Sequence, residues 1–324
     1  MKSVKKKYIL LELILGVWVI VFICVIFFQR HEQQRPRVAV VLSDSDSNQW
    51  SSLKYGLRMA AEDHKVDVVF ISTEIIESME EEVKIIQFAI QKGADAVIVQ
   101  PIPGVDAEQI LQTVSPKIPV MLIESAAGYD RSQSDFPTTE ADAASMGKQL
   151  VQELLADCDG DIRGKRIGVF SSDMASDVTR EKKNTVYRLL QEQGAEIRWK
   201  ITGKLNDAGL VILEKQPPVD AVLALDDRSV VIAGKCAADE RLHGAWLYGI
   251  GNSTEAVYYL DNDYAKCLIV PDEFDAGYQS MSAVVDQLNG TVHDMEDITA
   301  GYTVLRRDEL FTDENQELLF IMSQ

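Results

Sequence analysis

The hydrophobic and polar positions of this 324-residue chain separate an apolar run near the amino terminus from a long body in which short apolar runs alternate with helical patterns. In the body, short apolar runs predict strands, of which Val38–Leu42, wholly apolar and β-branched, reads as a buried central strand. The strands fall at Val38–Leu42, Val66–Ile71, Ala96–Val99 and Pro119–Ile123, and then at Arg166–Phe170, Glu196–Ile201, Ala221–Ala224, Trp246–Ile250 and Lys266–Val270. Between them, helical spacing predicts helices over Trp50–His64, Met79–Lys92, Val105–Val114, Ala141–Ala156, Thr179–Gln193, Ala208–Lys215, Ser229–Asp239, Thr254–Leu260 and Glu273–Leu288. Gly93 and Gly194 stand where helix C-caps are expected. Such alternation implies an α/β fold with parallel sheets covered by helices on both faces. The segment EKKNTVYRLLQEQGAEIRW in the second half echoes SLKYGLRMAAEDHKVDVVF in the first. Two similar Rossmann-like lobes with a cleft between their strand ends is the expected architecture.

The stretch VAVVLSDSDSNQW, Val38 to Trp50, organises the rest. A buried strand stops at Ser43, and six of the seven residues from Ser43 to Gln49 are Ser, Asp or Asn. Trp50 follows at a helix start. In open parallel sheets ligands bind beyond the carboxyl ends of the strands, and a polar loop ending in an indole suits a polar ligand with one apolar face. The alternative is a helix N-cap at Asp46, Ser47 or Asn48 followed by a core tryptophan. The loop alone leaves both readings open.

Lys2, Lys5, Lys6 and Lys7 precede an apolar run from Tyr8 to Phe28 that is broken only by Glu12. Its length, roughly twenty residues, suffices to cross a bilayer as a helix. The lysines favour an inside amino terminus and an extracytoplasmic body, against the weaker opposing signal of Arg30, Arg35 and Arg37. Cleavage as a signal peptide needs small residues before the cut, and FICVIFFQRHEQQ has none; a lipoprotein needs a small residue before its cysteine, but Ile23 precedes Cys24. An uncleaved, single-pass membrane anchor in contact with lipid is expected.

Charge narrows the partners. A formal net charge of −19 opposes a phosphate backbone, so nucleic acid is not an expected partner. The four cysteines (Cys24, Cys158, Cys236, Cys267) form no CxxC pair, and the four histidines are isolated, so neither a zinc site nor a redox motif is predicted. GIGNST lacks the third glycine of a dinucleotide fingerprint. Asp44, Asp46 and Asn48 begin like a calcium loop, but Tyr55 occupies its glutamate position. Asp157-Cys-Asp159-Gly-Asp161 reads as a surface turn. No GxSxG, Walker loop or HExxH occurs. No metal, cofactor or catalytic constellation is expected, and the chain is not expected to be an enzyme.

Taken in order, VAVVLSDSDSNQWSSLKYGLRMAAE, IQKGADAVIVQPIPGVDAEQI, KIPVMLIES, EADAASMGKQL, TREKKNTVYRLLQEQG, PPVDAVLALDDRSVVIAGK, LYGIGNSTEAV and VPDEFDAGYQSM resemble the type I periplasmic (solute-binding) proteins of the ribose- and galactose-binding kind. The resemblance covers most of Arg37 to about Arg307. It implies two lobes joined by a three-crossover hinge, with crossovers near Thr139–Asp142, Pro271–Phe274 and Thr299–Gly301, and closure of the lobes on a ligand. The implied organisation is a cytoplasmic tail at 1–7, an anchor at 8–28, a linker at 29–37, a first lobe of 38–139 with 274–299, and a second lobe of 140–273 with 300–324.

The resemblance also implies site residues. Ser43 matches a ligand-contacting serine, Ser47 sits at a family asparagine, and Gln49 and Trp50 sit at two stacking aromatics, of which Trp50 keeps the stacking role. Glu124-Ser125 replaces an Asp-Arg clamp, so the carboxylate stays and the guanidinium's bidentate fork is lost. Lys182 aligns with a family arginine, with Arg180 close enough to substitute. Asp226-Asp227 stands where Asn-Asp is common, Gly251 replaces the usual ligand aspartate beside Asn252, and Val270-Pro271 replaces a glutamine. The expected site is polar and acidic, which points to a ligand with an amino group or a cation rather than a simple pentose or hexose. The implied function is capture of a small, sugar-like ligand for the permease of an ABC-type importer. The alternative is an anchored sensor that presents its loaded form to a histidine kinase.

Overall fold

The computed structural model describes residues 35–46, 50–71, 73–102, 118–124, 136–172, 177–203 and 208–323, together with Trp18 and Gln112. Arg37–Gln324 forms one compact unit and Met1–Pro36 another. The expected tail, anchor and linker lie almost wholly outside the described residues, as does the helix expected at Val105–Val114 apart from Gln112. Among the described residues no helix is long and apolar enough to cross a membrane.

Among the described residues, twelve strands fall into two six-stranded sheets. The first holds β1 (Arg37–Val41), β2 (Asp67–Ile71), β3 (Ala96–Val99), β4 (Val120–Ile123), β5 (Thr138–Ala141) and β11 (Ile298–Ala300), in the order β2-β1-β3-β4-β5-β11 and parallel throughout. The second holds β6 (Arg166–Ser172), β7 (Glu196–Gly203), β8 (Ala221–Ala224), β9 (Trp246–Ile250), β10 (Cys267–Pro271) and β12 (Tyr302–Leu305), in the order β7-β6-β8-β9-β10-β12. The orders are the same, except that β12 runs antiparallel to β10. The central strands are buried on both faces, with Val38, Val99, Leu122, Val222 and Ile269 all closed to solvent. This is what their unbroken apolar runs require.

The helices are α1 (Ser51–His64), α2 (Met79–Gln91), α3 (Ala143–Asp157), α4 (Asp177–Glu192), α5 (Ala208–Glu214), α6 (Asp227–Ala238), α7 (Thr254–Asp261), α8 (Glu273–Leu288) and α9 (Asp313–Met322). Most follow the expected bounds closely. Three strands were not expected: β5, β11 and β12, which are only three or four residues long. The C-terminal helix α9 and the 3-10 turn at Arg307–Glu309 were not expected either. Asp159 and Gly160 do form a turn, both with positive φ. Cys158, Cys236 and Cys267 are unpaired.

The chain crosses between the sheets after Ala141, after Pro271 and at Gly301. Both long crossings are built alike: the last strand residue is followed by an aspartate that caps a helix packed on the other sheet. Asp142 Oδ1 accepts from the Ser145 N–H at 2.8 Å, and Asp272 Oδ1 accepts from the Asp275 N–H at 3.0 Å, each filling a vacancy of a helix N-terminus. The Asp142 and Asp272 N–H groups donate to the neighbouring carbonyls of Ala300 (3.4 Å) and Gly301 (2.9 Å). The three connectors therefore run side by side.

The helices so delivered set the walls of the space between the sheets. In the first lobe α8 lies backbone to backbone against α1. A methyl group on Gly56 would stand 2.0 Å from the Phe274 carbonyl oxygen, and one on Gly277 would stand 2.3 Å from that of Leu53. Only glycine permits this approach. It brings the first turn of α8 beside the first turn of α1.

Candidate functional site

The carboxyl ends of both sheets and the first turns of five helices (α1, α3, α4, α6, α8) face one cleft. It encloses a cavity of about 150 Å³, comparable with a cavity that admits one small ring. Its apolar side includes Trp50, Leu53, Ile123 and Ala276. Trp50 occupies the cap position of α1 without capping it, and its Nε1–H donates to the Ser43 carbonyl at 3.1 Å. The indole is thus both a buried core residue and a cleft wall, whereas the cap expected at Asp46, Ser47 or Asn48 is not formed, the cap position being that of Trp50 itself.

Ser43 itself serves the loop. Its Oγ accepts from the Ile76 N–H at 3.1 Å, and it is not among the residues lining the cleft. Ser47, Gln49 and Ser125 lie outside the described residues. Lys182 lines the cleft from α4, one turn beyond Thr179, whereas Arg180 is exposed and borders a separate surface groove. Residues two apart on a helix face different ways, so the structure separates the pair that the sequence had treated as interchangeable.

Glu124 enters from the end of β4 with φ at +59°, a left-handed conformation costly for any residue with a Cβ. It is held there by its N–H, which donates to Thr139 O at 2.8 Å. Withdrawal from water raises its pKa, the nearby Lys182 opposes this, and Glu140 adds to it. Across the cleft the Lys182 ammonium donates to Leu225 O at 3.0 Å. Burial lowers its pKa, against the pull of Asp226, Glu124 and Glu273.

Asp226 and Asp227 sit at the start of α6 and do different work. Asp226 Oδ1 accepts from the N–H and Oγ–H of Ser229 at 3.0 and 2.8 Å, which is capping. Asp227 Oδ1 accepts from the N–H groups of Asn252 and Ser253 at 3.0 and 2.8 Å, fixing the turn after β9. Burial still raises the Asp227 pKa despite those donors. Gly251 leaves room for this contact, since a methyl there would stand 2.8 Å from Asp227 Oδ1.

The cleft also contains residues that sequence reasoning did not select: Glu140, Thr179, Asp272 and above all Glu273. Glu273 Oε2 is closed to solvent and has no hydrogen-bond partner among the described residues. Burial raises its pKa well above the usual carboxylate range, and the neighbouring Glu124 and Asp227 raise it further, against a hydrogen bond with the Asn252 side chain and the pull of Lys182. The one signal available in the sequence was its position directly after a strand and a capping aspartate. Among the described residues no group of three acids, histidines or cysteines is placed to hold a metal ion.

A family model described as a periplasmic binding protein domain matches residues 38–291. No curated protein matches the chain. Among solved structures, a carbohydrate transporter solute-binding protein from Agrobacterium radiobacter in complex with D-arabinose is similar with a TM-score of 0.76 at 14% identity, covering 89% of this chain and 99% of its own. An ABC transporter solute-binding protein from Bacillus halodurans with bound myo-inositol gives 0.74 at 17% identity, covering 89% and 99%. A XylFII–LytSN complex gives 0.69 at 15% identity, covering 85% and 98%. At these identities the likeness is one of fold.

Proposed function

Since the chain belongs to the periplasmic binding protein domain family, we propose that it is a receptor that captures a small, sugar-like polar ligand between its two lobes and hands it to the permease of an ABC-type importer. The observation that carries this reading is the cleft itself: one apolar wall bearing Trp50 and Leu53, facing polar groups from both sheets at their carboxyl ends. Solved structures of the same fold hold D-arabinose and myo-inositol, which supports a polyhydroxylated ligand. Trp50 stacks on its apolar face, Glu124, Asp227 and Asn252 contact its polar groups, and Lys182 sets the charge of the second wall. The lobes close on the ligand about the three connectors at Ala141–Asp142, Pro271–Glu273 and Gly301. The lysines before the apolar run Tyr8–Phe28 support a membrane anchor that holds the body on the extracytoplasmic side.

The test is thermal unfolding of the protein against pentoses, hexoses, inositols, amino sugars and amines. A ligand at a hundred times its Kd adds about 2.7 kcal/mol, a shift of several degrees, and Trp50→Ala abolishes it. No shift with any member of the panel would overturn the receptor reading.

A second reading is supported by the likeness to XylFII in its complex with LytSN. On that reading the loaded protein is presented to a membrane sensor kinase instead of a permease. A permease and ATPase encoded beside this gene favour import; a histidine kinase and response regulator favour sensing.

A further inference from the structure

The cleft holds six carboxyl groups, on Glu124, Glu140, Asp226, Asp227, Asp272 and Glu273, and one ammonium, on Lys182. Several of the acids hold the local fold. Asp226 and Asp272 cap helices, and one oxygen of Asp227 is taken up by two backbone donors. Lys182 faces Asp226, Glu124 and Glu273 together while also donating to the Leu225 carbonyl. One cation is thus shared among three carboxylates.

The imbalance is sharpest at Glu273. Its Oε2 lies out of reach of solvent with no donor to satisfy it, and Glu124 and Asp227 are near enough to raise its affinity for a proton. A buried acceptor of this kind costs free energy until a donor arrives, and a positive donor relieves the mutual repulsion of the three acids as well. Trp50, at the start of α1 beside the first turn of α8, lines the same cleft with an indole, which suits an organic ring and attracts a cation.

We propose, resting on the receptor reading above, that the ligand is a small hydroxylated primary amine of the amino-sugar kind, with its ammonium seated among Glu124, Asp227 and Glu273 and its ring against Trp50. The ammonium gives Glu273 Oε2 the donor it lacks, beside the hydrogen bond the carboxyl already shares with the Asn252 side chain, and the hydroxyl groups use the remaining polar atoms of the cleft.

The inference is tested by calorimetric titration of the full-length protein in nanodiscs with glucosamine and galactosamine, with glucose and galactose, and with N-acetylglucosamine, in which the charge is removed. The amino sugars bind about tenfold or more tightly than their hydroxyl counterparts, and N-acetylation removes that advantage. Affinity for the amino sugars increases from pH 5 to pH 7, as the cleft acids ionise while the amine stays charged. Glu273→Gln and, separately, Asp227→Asn abolish the preference, each checked by its unfolding temperature. Tighter binding of the neutral hexoses, or binding that weakens as pH rises, would overturn the amine assignment and leave the receptor reading intact. Absence of binding by every one of these compounds would overturn the assignment, and if the broader unfolding panel also fails, the receptor reading falls with it.

Discussion

The two lobes share one frame and differ in what it carries. Strand orders are the same, and each fifth strand ends in a capping aspartate that starts a helix on the other sheet. Equivalent positions can therefore be compared directly. Glu124 after β4 corresponds to Gly251 after β9, Gln100 after β3 to Leu225 after β8, Ala143 at the start of α3 to Glu273 at the start of α8, and Gly147 to Gly277. In the first lobe these positions bring carboxylates inward; in the second, the equivalent of Glu273 is an alanine, and the ammonium of Lys182 joins Asp226 and Asp227 in the cleft. A repeated backbone thus supplies a symmetric cleft, and the chemistry comes from where the repeats disagree.

The largest effect is expected at the helix contacts. Gly277→Ala sets a methyl 2.3 Å from a backbone oxygen that cannot swing away, so it should destabilise the protein by about 3 kcal/mol and move Glu273 out of the cleft. Gly147→Ala in the second lobe meets its nearest atom, the Lys182 carbonyl oxygen, at 3.1 Å, and should cost well under about 1 kcal/mol. Equal losses in denaturant unfolding would show that the two contacts are not distinguished by their closeness.

Next comes the first lobe's buried acid outside the cleft. Glu82 Oε1 accepts from the Ile102 N–H at 3.1 Å, Oε2 has no hydrogen-bond partner among the described residues, and burial pushes the carboxyl up to about 7. The native state therefore holds a proton that the unfolded chain releases. Its stabilisation is complete below about 4.5 and is lost as pH rises through about 7. The loss amounts to up to about 3 kcal/mol. Glu82→Gln should remove that part of the pH slope, leaving the part due to Glu124, Asp227 and Glu273, whose pKa values are raised in the same direction. An unchanged stability–pH curve would contradict the assignment.

The second lobe has a satisfied counterpart at the end away from the cleft. Arg306 pairs with Glu153 at 2.6 Å and Asp157 at 3.0 Å, and Tyr248 Oη donates to Asp157 at 2.7 Å. Arg306→Ala strands two largely buried carboxylates and should cost about 2 kcal/mol, with ligand affinity unchanged. A loss of affinity equal to that of a cleft variant would show that this network reaches the site. The smallest effect belongs to Glu124→Gly, which relieves the left-handed backbone at φ +59°. Stability should rise by at most about 1 kcal/mol while binding is lost, whereas Glu124→Ala keeps the strain and also loses binding. Retained binding in either variant would remove Glu124 from the site.

The comparison also explains what could be read from the chain. Apolar runs marked the central strands because those strands are buried on both faces; Ala96–Val99, Ala221–Ala224 and Trp246–Ile250 begin and end where expected. Strands β5 (TTEA), β11 (ITA) and β12 (YTVL) left no such mark. They are short and carry Thr, Glu and Tyr; β11 and β12 are edge strands, and β5 lies between β11 and β4. Helix α9 begins with DENQE and keeps Phe320 largely exposed, so its apolar face is narrow.

At the site, Trp50, Glu124, Lys182, Asp226, Asp227 and Asn252 were named from the sequence, and the structure brings all six to the cleft. Glu273 was not named, because an acid in the first turn of a helix already has an ordinary reason to be there. Only the return of α8 to the first lobe puts it beside Glu124. Arg180 and Lys182 were inseparable in sequence, and only the helix face tells them apart.

The central claim is that one cleft, with walls from both lobes, takes up the ligand. It is tested most directly by pulsed electron-spin distance measurement between labels at Phe88 on the first lobe and Tyr258 on the second, both exposed. Measurements would be made with and without each compound that raises the unfolding temperature. The account predicts that the distance distribution shifts by several ångströms and narrows when such a compound is added, and that Trp50→Ala prevents both changes. A compound that stabilises the protein yet leaves the distribution unchanged would contradict it.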